Sequence, residues 1–495
     1  MKKTNYPATL LCDFYKLAHK DQYPEGTEYV YSTWTPRKSL IKGIDKVVVF
    51  GMQAFVQGYL IDYFNEHFFS RPKEDVVAEY VRFIKHAFFV PNPDASHIAD
   101  LHDLGYLPLH IKAIKEGTLV PMRVPTATVV NTNPKFFWLT NNIETLMSSE
   151  NWIPLTSATI AFEYRKILTK YAKLTGSDMS LIDWQAHDFS MRGMSIESGK
   201  LSGAGHLLSF TGTDTIPAIY FHEEFYNANM ETELIGSSVY ATEHSVMCAG
   251  GQEDEYETYN RLMTKVHPKG ILSIVSDTWD LWHVLTNIIP RLKETILKRD
   301  GKIVIRPDSG DPQKIICGDP LATDINVQKG VIQLLWECFG GTINEKGYKV
   351  LDPHIGAIYG DSITLERCEA ICKNLMENGF ATSNIVFGIG SFTYQYNTRD
   401  TFGNAMKAVH VVINGVEKNI LKDPVTDSGT KKSATGRVVV IKLGGEIFLQ
   451  DGLTIAQQES FANIDLLEDV FVDGKLVRDQ SLSEIRQILK EQLDK

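Results

Sequence analysis

Residues Ile303 to Pro312, IVIRPDSGDP, join three β-branched aliphatic residues to Arg306, Asp308, Ser309 and Asp311, with Pro307 and Gly310 restricting the backbone between them. Such a segment reads as a buried strand that delivers charged and hydroxyl groups at its end. Asp277 in VSD and Asp361 in GD follow apolar runs in the same way. Carboxylates at strand ends could hold sugar hydroxyls or magnesium, since hard cations prefer oxygen ligands. Arg192, Arg306 and Arg399 stand in turns of this kind and supply anion clamps. Gly388, Gly390 and Ser391 in FGIGSF can offer backbone amides to a phosphate, and Ser391 adds a hydroxyl. No Walker loop is present, and Thr393 stands where a dinucleotide fingerprint needs its third glycine. Phosphate, sugar and magnesium chemistry together point to a sugar-phosphate substrate.

Six segments share this design: HDFSMRG after LIDWQA, GTDT after LLSF, SDTWD after ILSIV, RPDSG after KIVI, GDS after IGAIY and GIGSF after NIVF. Singly, each is an ordinary strand-to-helix connection whose Asp or Ser caps the next helix. Gathered in one region, they argue for parallel strands whose carboxyl ends meet on one ligand-binding face. Helical stretches such as TIAFEYRKILTKYAKLTG alternate with them, which argues for βα units and a parallel sheet over residues 151–394, so the fold class is α/β, as a barrel or an open sheet. Residues 1–150 mix helical patterns with short strands. Residues 395–495 carry hairpin signals at Asn414-Gly415 and Gly444-Gly445 and a closing helix, SLSEIRQILKEQL. These two ends are expected to form one α+β domain.

With 495 residues, 43% hydrophobic and 22% charged, the chain has room for two or three domains. Its 50 basic against 61 acidic residues disfavour a general nucleic-acid or membrane-surface role, and no apolar run approaches a membrane span, so a cytoplasmic protein is expected. The six cysteines contain no Cys-x-x-Cys pair and read as buried reduced thiols. GGQEDEYETYNRLM reads as a helix with a solvated acidic face and GTKKSATGR, 429–437, as a flexible basic loop; His102 and His110 have no motif context.

The motifs HDFSMRG (187–193), GTDT (212–215), EHS (243–245), VSD (275–277), IRPDSG (305–310), GD (360–361), TRD (398–400) and KDP (422–424), with DFYKLAHKDQYP near the start, occur in an order that resembles the nicotinate/nicotinamide phosphoribosyltransferase family over nearly the whole chain. The resemblance implies a type II phosphoribosyltransferase fold, an irregular α/β barrel over residues 151–394, and a homodimer with active sites shared at the subunit interface. It also implies synthesis of nicotinamide mononucleotide from nicotinamide and phosphoribosyl pyrophosphate, with Mg2+ and with ATP as co-substrate. Phe189 and the partner subunit's Tyr15, beside Asp13, would sandwich the pyridine ring. Asp214 would accept from the carboxamide nitrogen, and Arg192 would approach the ring or the phosphates. Arg306 and Asp308 would form a pair at the ribose and pyrophosphate, and Gly360 with Asp361 would meet the ribose hydroxyls. Gly390, Ser391 and Arg399, with Arg37 and Lys422 from the other subunit, would surround phosphate. His244 would be phosphorylated by ATP, its ring oriented by Glu243 and Asp277. Phe392 departs from the pattern, standing where animal members carry glycine. The related acid, nicotinate, is an alternative substrate, and a non-catalytic phosphosugar-binding barrel is an alternative of another class.

Overall fold

The computed structural model describes residues 6–422, 426 and 433–493. Asp423 and Pro424 of the KDP motif, and residues 429–432 of the basic loop, lie outside the described residues. The chain clusters into two compact units, one of Ile160–Tyr220 with Asn229–Tyr396, the other of Met1–Thr159, Phe221–Ala228 and Asn397–Lys495.

The first unit is built on seven parallel strands: β1 Ala186–Asp188, β2 Gly212–Thr213, β3 Tyr240–Ala241, β4 Leu272–Val275, β5 Ile303–Arg306, β6 Ile355–Tyr359 and β7 Ile385–Ile389. Their order in the sheet, β2-β1-β7-β6-β5-β4-β3, is cyclic in sequence. The ring closes through Ser237, just before β3, which bridges in parallel to Gly212 and accepts the Thr213 N–H at 2.9 Å. The fold is thus an irregular α/β barrel. β6 is buried at every residue and correspondingly continuous in its apolar pattern, as a strand covered on both faces must be. The helix Leu365–Glu377 is capped by the Thr364 side chain and buries Cys368, Ile371, Cys372 and Leu375, the spacing of one helical face. Those two cysteines and Cys317 are core residues, whereas Cys248 is exposed, contrary to the reading of all six as buried.

Two strands differ from the sequence reading. LLSF does not feed the GTDT turn as a strand: the helix Ile196–His206 ends just before it, and β2 is only two residues long. β3, another two-residue strand, leads to EHS without an apolar run to announce it. In the acidic segment, Glu253, Asp254 and Glu257 are exposed but Glu255 is buried, so that face is not wholly solvated. Burial, with the nearby Asp280 charge, pushes the Glu255 carboxyl up to about 7.

The second unit carries a seven-stranded antiparallel sheet in which Thr27–Thr35 lies between Ala405–Ile413 and Ala127–Asn131, so the two ends of the chain share one sheet. Asn414 (φ 49°) and Gly415 (φ 72°) turn one hairpin, and Gly444 (φ 59°) and Gly445 (φ 92°) the other, the left-handed conformations that a tight hairpin needs. Phe221–Ala228, which the sequence reading leaves in the barrel, clusters here: Tyr226 stacks 5.2 Å from Phe50 and donates its hydroxyl to buried Glu116 at 2.8 Å. The helix Glu144–Thr175 runs unbroken through position 151. No helix of the described residues is long and apolar enough to cross a membrane.

Candidate active site

At the carboxyl ends of the barrel strands lies a cavity of about 680 Å³, within the range of small-molecule sites, lined by residues of the β1, β2, β5, β6 and β7 turns. Phe189, Arg192, Asp214, Arg306, Asp308, Gly360, Asp361, Gly390 and Ser391 all face it. The parallel order brings them together, since they stand at the ends of five different strands and all strands end on the same side.

The β5 turn is held from two sides. Asp277 Oδ2 accepts the Asp308 N–H at 2.8 Å and the Ser309 hydroxyl at 2.6 Å, while Tyr359 donates to the Gly310 carbonyl at 2.9 Å. Gly310 sits at φ 91°, where a side chain would be strained. Arg306 donates Nη2–H to the Thr242 carbonyl at 2.5 Å, and its Nε is buried without a partner. Arg306 and Asp308 make no ion pair: the guanidinium bonds the backbone just after β3 rather than its neighbour two residues on.

Behind that turn stands His244, first residue of the helix His244–Gly250. Its Nδ1 lies 3.2 Å from Thr278 Oγ1, and its Nε2 is 3.8 Å from Asp277 Oδ1 and 4.0 Å from Asp308 Oδ2. Asp277 Oδ1 is buried and has no hydrogen-bond donor. Glu243 does not orient the ring; its carboxylate accepts the Ser245 hydroxyl instead, because the residue preceding a helix directs its side chain toward the first turn. Thr278 is the contact that sequence reasoning missed, although its place beside Asp277 in SDTWD was a visible signal.

Phe189 rests on glycines. A Cβ at Gly388 would fall 2.6 Å from both the Phe189 ring and the Gly360 Cα, and one at Gly360 would fall 2.9 Å from Asp308 Oδ1. Gly388→Ala is therefore expected to push the ring off its seat and raise KM for a ligand seated against that ring about 10-fold or more, with a smaller change in kcat; steady-state kinetics measures both. Asp188, absent from the sequence-derived set, underlies the same turn. It is fully buried, accepts the Ser190 N–H at 2.9 Å and hydroxyl at 2.7 Å on Oδ1, and the Thr213 hydroxyl at 3.1 Å on Oδ2. Burial opposes ionisation of Asp214, but hydrogen bonds from His187 and Ser238 and the Arg306 charge outweigh it, leaving the carboxyl below its ordinary range.

Gly390 precedes the short helix Ser391–Tyr394, and no atom lies within 4 Å of where its Cβ would stand, so its backbone is open to a ligand. Phe392 also lines the cavity and stacks on Tyr396, centroids 4.8 Å apart and planes at 20°.

Asp13, Tyr15, Arg37, Arg399 and Lys422 belong to the other unit. Asp13 accepts from Thr145 at 2.7 Å, Tyr15 is 59% exposed, Arg37 donates Nε–H to the Gly403 carbonyl at 2.9 Å, Arg399 pairs with Asp400 at 3.1 Å, and Lys422 is exposed.

Residues 184–475 match the model of the nicotinate phosphoribosyltransferase (NAPRTase) family, and residues 8–111 match that of the nicotinamide phosphoribosyltransferase N-terminal domain. The chain belongs to the nicotinate phosphoribosyltransferase family. Members are pentosyltransferases, so the chain is an enzyme and not a non-catalytic phosphosugar-binding barrel. It is 52% identical to a nicotinamide phosphoribosyltransferase of Acinetobacter baylyi, with 97% of each chain covered. It is 35% identical to one of Mycoplasma pneumoniae (88% of this chain, 96% of that) and 31% to one of Xanthomonas campestris (96% of each). Among solved structures, nicotinate-nucleotide pyrophosphorylase from Pyrococcus furiosus superposes with TM-score 0.60 at 13% identity, covering 100% of this chain and 97% of that one. Human nicotinic acid phosphoribosyltransferase gives 0.55 at 14%, covering 98% and 94%. At such identities the likeness is one of fold, that of the type II phosphoribosyltransferases.

Proposed function

We propose that the enzyme transfers the phosphoribosyl group of phosphoribosyl pyrophosphate to nicotinamide, releasing pyrophosphate and forming nicotinamide mononucleotide. The observation that carries the choice of base is Asp214, an ionised carboxylate at the cavity wall beside Phe189. Nicotinamide brings N–H donors to it, whereas nicotinate brings a second negative charge. The names of the relatives agree with this reading.

The pyridine nitrogen attacks the anomeric carbon as the bond to pyrophosphate breaks. Positive charge grows on the sugar, where Asp308 and Asp361 offset it, and negative charge grows on the leaving group, which Arg306 and Arg192 meet. The pyridine nitrogen carries no proton to remove, so no general base is needed, and rigid placement at the strand ends supplies much of the rate. Magnesium fits this site as a partner of the substrate: among the described residues no three His, Cys, Asp or Glu side chains are grouped to hold a metal, but Asp277 Oδ1 lacks a donor and Asp308 stands beside it. When bound, Mg2+ would neutralise pyrophosphate oxygens. ATP would enter as a phosphoryl donor to His244.

Supplying phosphoribosyl pyrophosphate, Mg2+ and ATP with either base, and weighing the products by mass spectrometry, tests the assignment. A mass one unit heavier, from nicotinate alone, would overturn it. Asp214→Ser is expected to lower the amide-to-acid ratio of kcat/KM about 10- to 100-fold, the worth of a charge-assisted hydrogen bond. An unchanged ratio would remove Asp214 from substrate reading. A homodimer with shared sites further predicts that Tyr15→Ala and Phe189→Ala, each inactive, regain activity when mixed and allowed to exchange subunits. Absence of recovery after verified exchange would put both rings in one subunit's site.

A further inference from the structure

The Asp214 carboxylate is not left free to choose its partners. His187, on β1, approaches Asp214 Oδ1 with Nε2 at 2.9 Å, and Ser238, next to the residue that closes the barrel, donates its hydroxyl to the same oxygen at 2.6 Å. Both donors fall on Oδ1, and among the described residues no hydrogen bond reaches Oδ2. The imidazole that faces a carboxylate carries its proton on Nε2, which assigns the tautomer. Two further features seat the ring. A Cβ at Gly212 would lie 2.8 Å from His187 Nδ1, so the glycine of GTDT is what lets the imidazole lie across β2. On its other side the ring packs against Phe189, with centroids 4.6 Å apart and planes at 41°. His187 therefore links the aromatic seat for the base to the acceptor for its substituent.

We propose that His187, assisted by Ser238, is a specificity-determining positioning residue: by saturating Oδ1 of Asp214 it holds that carboxylate with a single open acceptor, which demands an N–H donor from the substrate and rejects an acid. The inference rests on the reading of Asp214 as the group that meets the carboxamide. Its physical basis is the geometry: with both donors on Oδ1 the carboxylate is fixed and Oδ2 is left to accept from the base, whereas without them the carboxylate can turn and its bond to the amide N–H weakens, while the acid, which makes no such bond, loses nothing. The loss would therefore fall on selectivity rather than equally on both bases.

His187→Phe keeps a ring against Phe189 but has no donor, His187→Gln keeps an N–H donor without the ring, and Ser238→Ala removes the second donor. For each, kcat and KM are measured with nicotinamide and with nicotinate, beside Asp214→Ser. The amide-to-acid ratio of kcat/KM is expected to fall about 10-fold or more in His187→Phe, by several-fold in Ser238→Ala, and to stay within about 3-fold of wild type in His187→Gln, most of the change arising in KM. General damage to the barrel would lower both bases together and leave the ratio in place, which would overturn the proposal. So would a Gln variant as unselective as the Phe variant, since that would credit the ring and not the donor. If His187→Phe does not fold, Ser238→Ala decides, because Ser238 is exposed and its hydroxyl contributes little to packing; an unchanged ratio there overturns the shared-oxygen account. A shifted ratio in Asp214→Ser with wild-type ratios in the other variants rejects His187 while sparing Asp214. An unshifted ratio in Asp214→Ser rejects the underlying reading itself.

Discussion

Arg306→Ala is expected to lower kcat/KM by about 10²- to 10³-fold, with most of the loss in kcat. The side chain leaves the end of β5 with its Nη2–H already committed to the Thr242 carbonyl at 2.5 Å, so the guanidinium is held in place at the cavity wall before substrate arrives. A preorganised cation of that kind spends little on reorganisation as pyrophosphate charge develops, which is where its contribution exceeds that of a mobile surface arginine. Arg306→Lys retains the charge but cannot both bond Thr242 and reach the ligand, so it should recover only part of the rate. The alanine variant also removes the positive charge that helps hold Asp214 ionised, and a modest fall in the preference for amide should accompany the loss of rate. Pre-steady-state measurement of the first turnover separates this chemical effect from product release. Wild-type first-turnover rates in Arg306→Ala would remove the residue from the transition state.

His244→Ala is expected to abolish phosphoenzyme formation from labelled ATP while leaving a slower, ATP-independent synthesis of mononucleotide. The imidazole is half-exposed, steadied by Thr278 on Nδ1 and flanked on Nε2 by Asp277 and Asp308 at 3.8 and 4.0 Å. Its Nε2 faces the carboxylates of the β4 and β5 turns, so a phosphoryl group on it would alter the charge next to the site proposed for pyrophosphate without the histidine taking part in the proposed ribosyl transfer. That separation is the reason synthesis should survive. Thr278→Val, which removes only the hydroxyl on Nδ1, should slow phosphorylation without abolishing it. Acid-labile label persisting in His244→Ala would place the phosphoryl acceptor elsewhere.

The sequence by itself determined most of the parallel strands and the list of turns that carry chemistry, because both are written locally. A β-branched run followed by Pro, Gly and Asp, as at Ile303–Asp311, states a strand and its end within ten residues, whereas closure of the ring rests on the bridge between Gly212 and Ser237, far apart in the chain from most of its strands. Helix faces were legible for the same reason, as in Cys368, Ile371, Cys372 and Leu375. Local writing fails where the partner is distant. β3 has two residues and no apolar run, and is a strand only because Leu272 and Ser273 lie beside it. Glu255 sits in an acidic run that reads as solvated, yet tertiary packing buries it. Glu243 and Asp277 looked equivalent as supports for His244 until the backbone directed one toward Ser245 and brought Thr278 to the ring. Only the folded barrel brought His187 and Ser238, 51 positions apart in the chain, onto one oxygen of Asp214. Hydrogen bonds between strands depend on register and side-chain direction set by the whole sheet, and no spacing within a single segment encodes them.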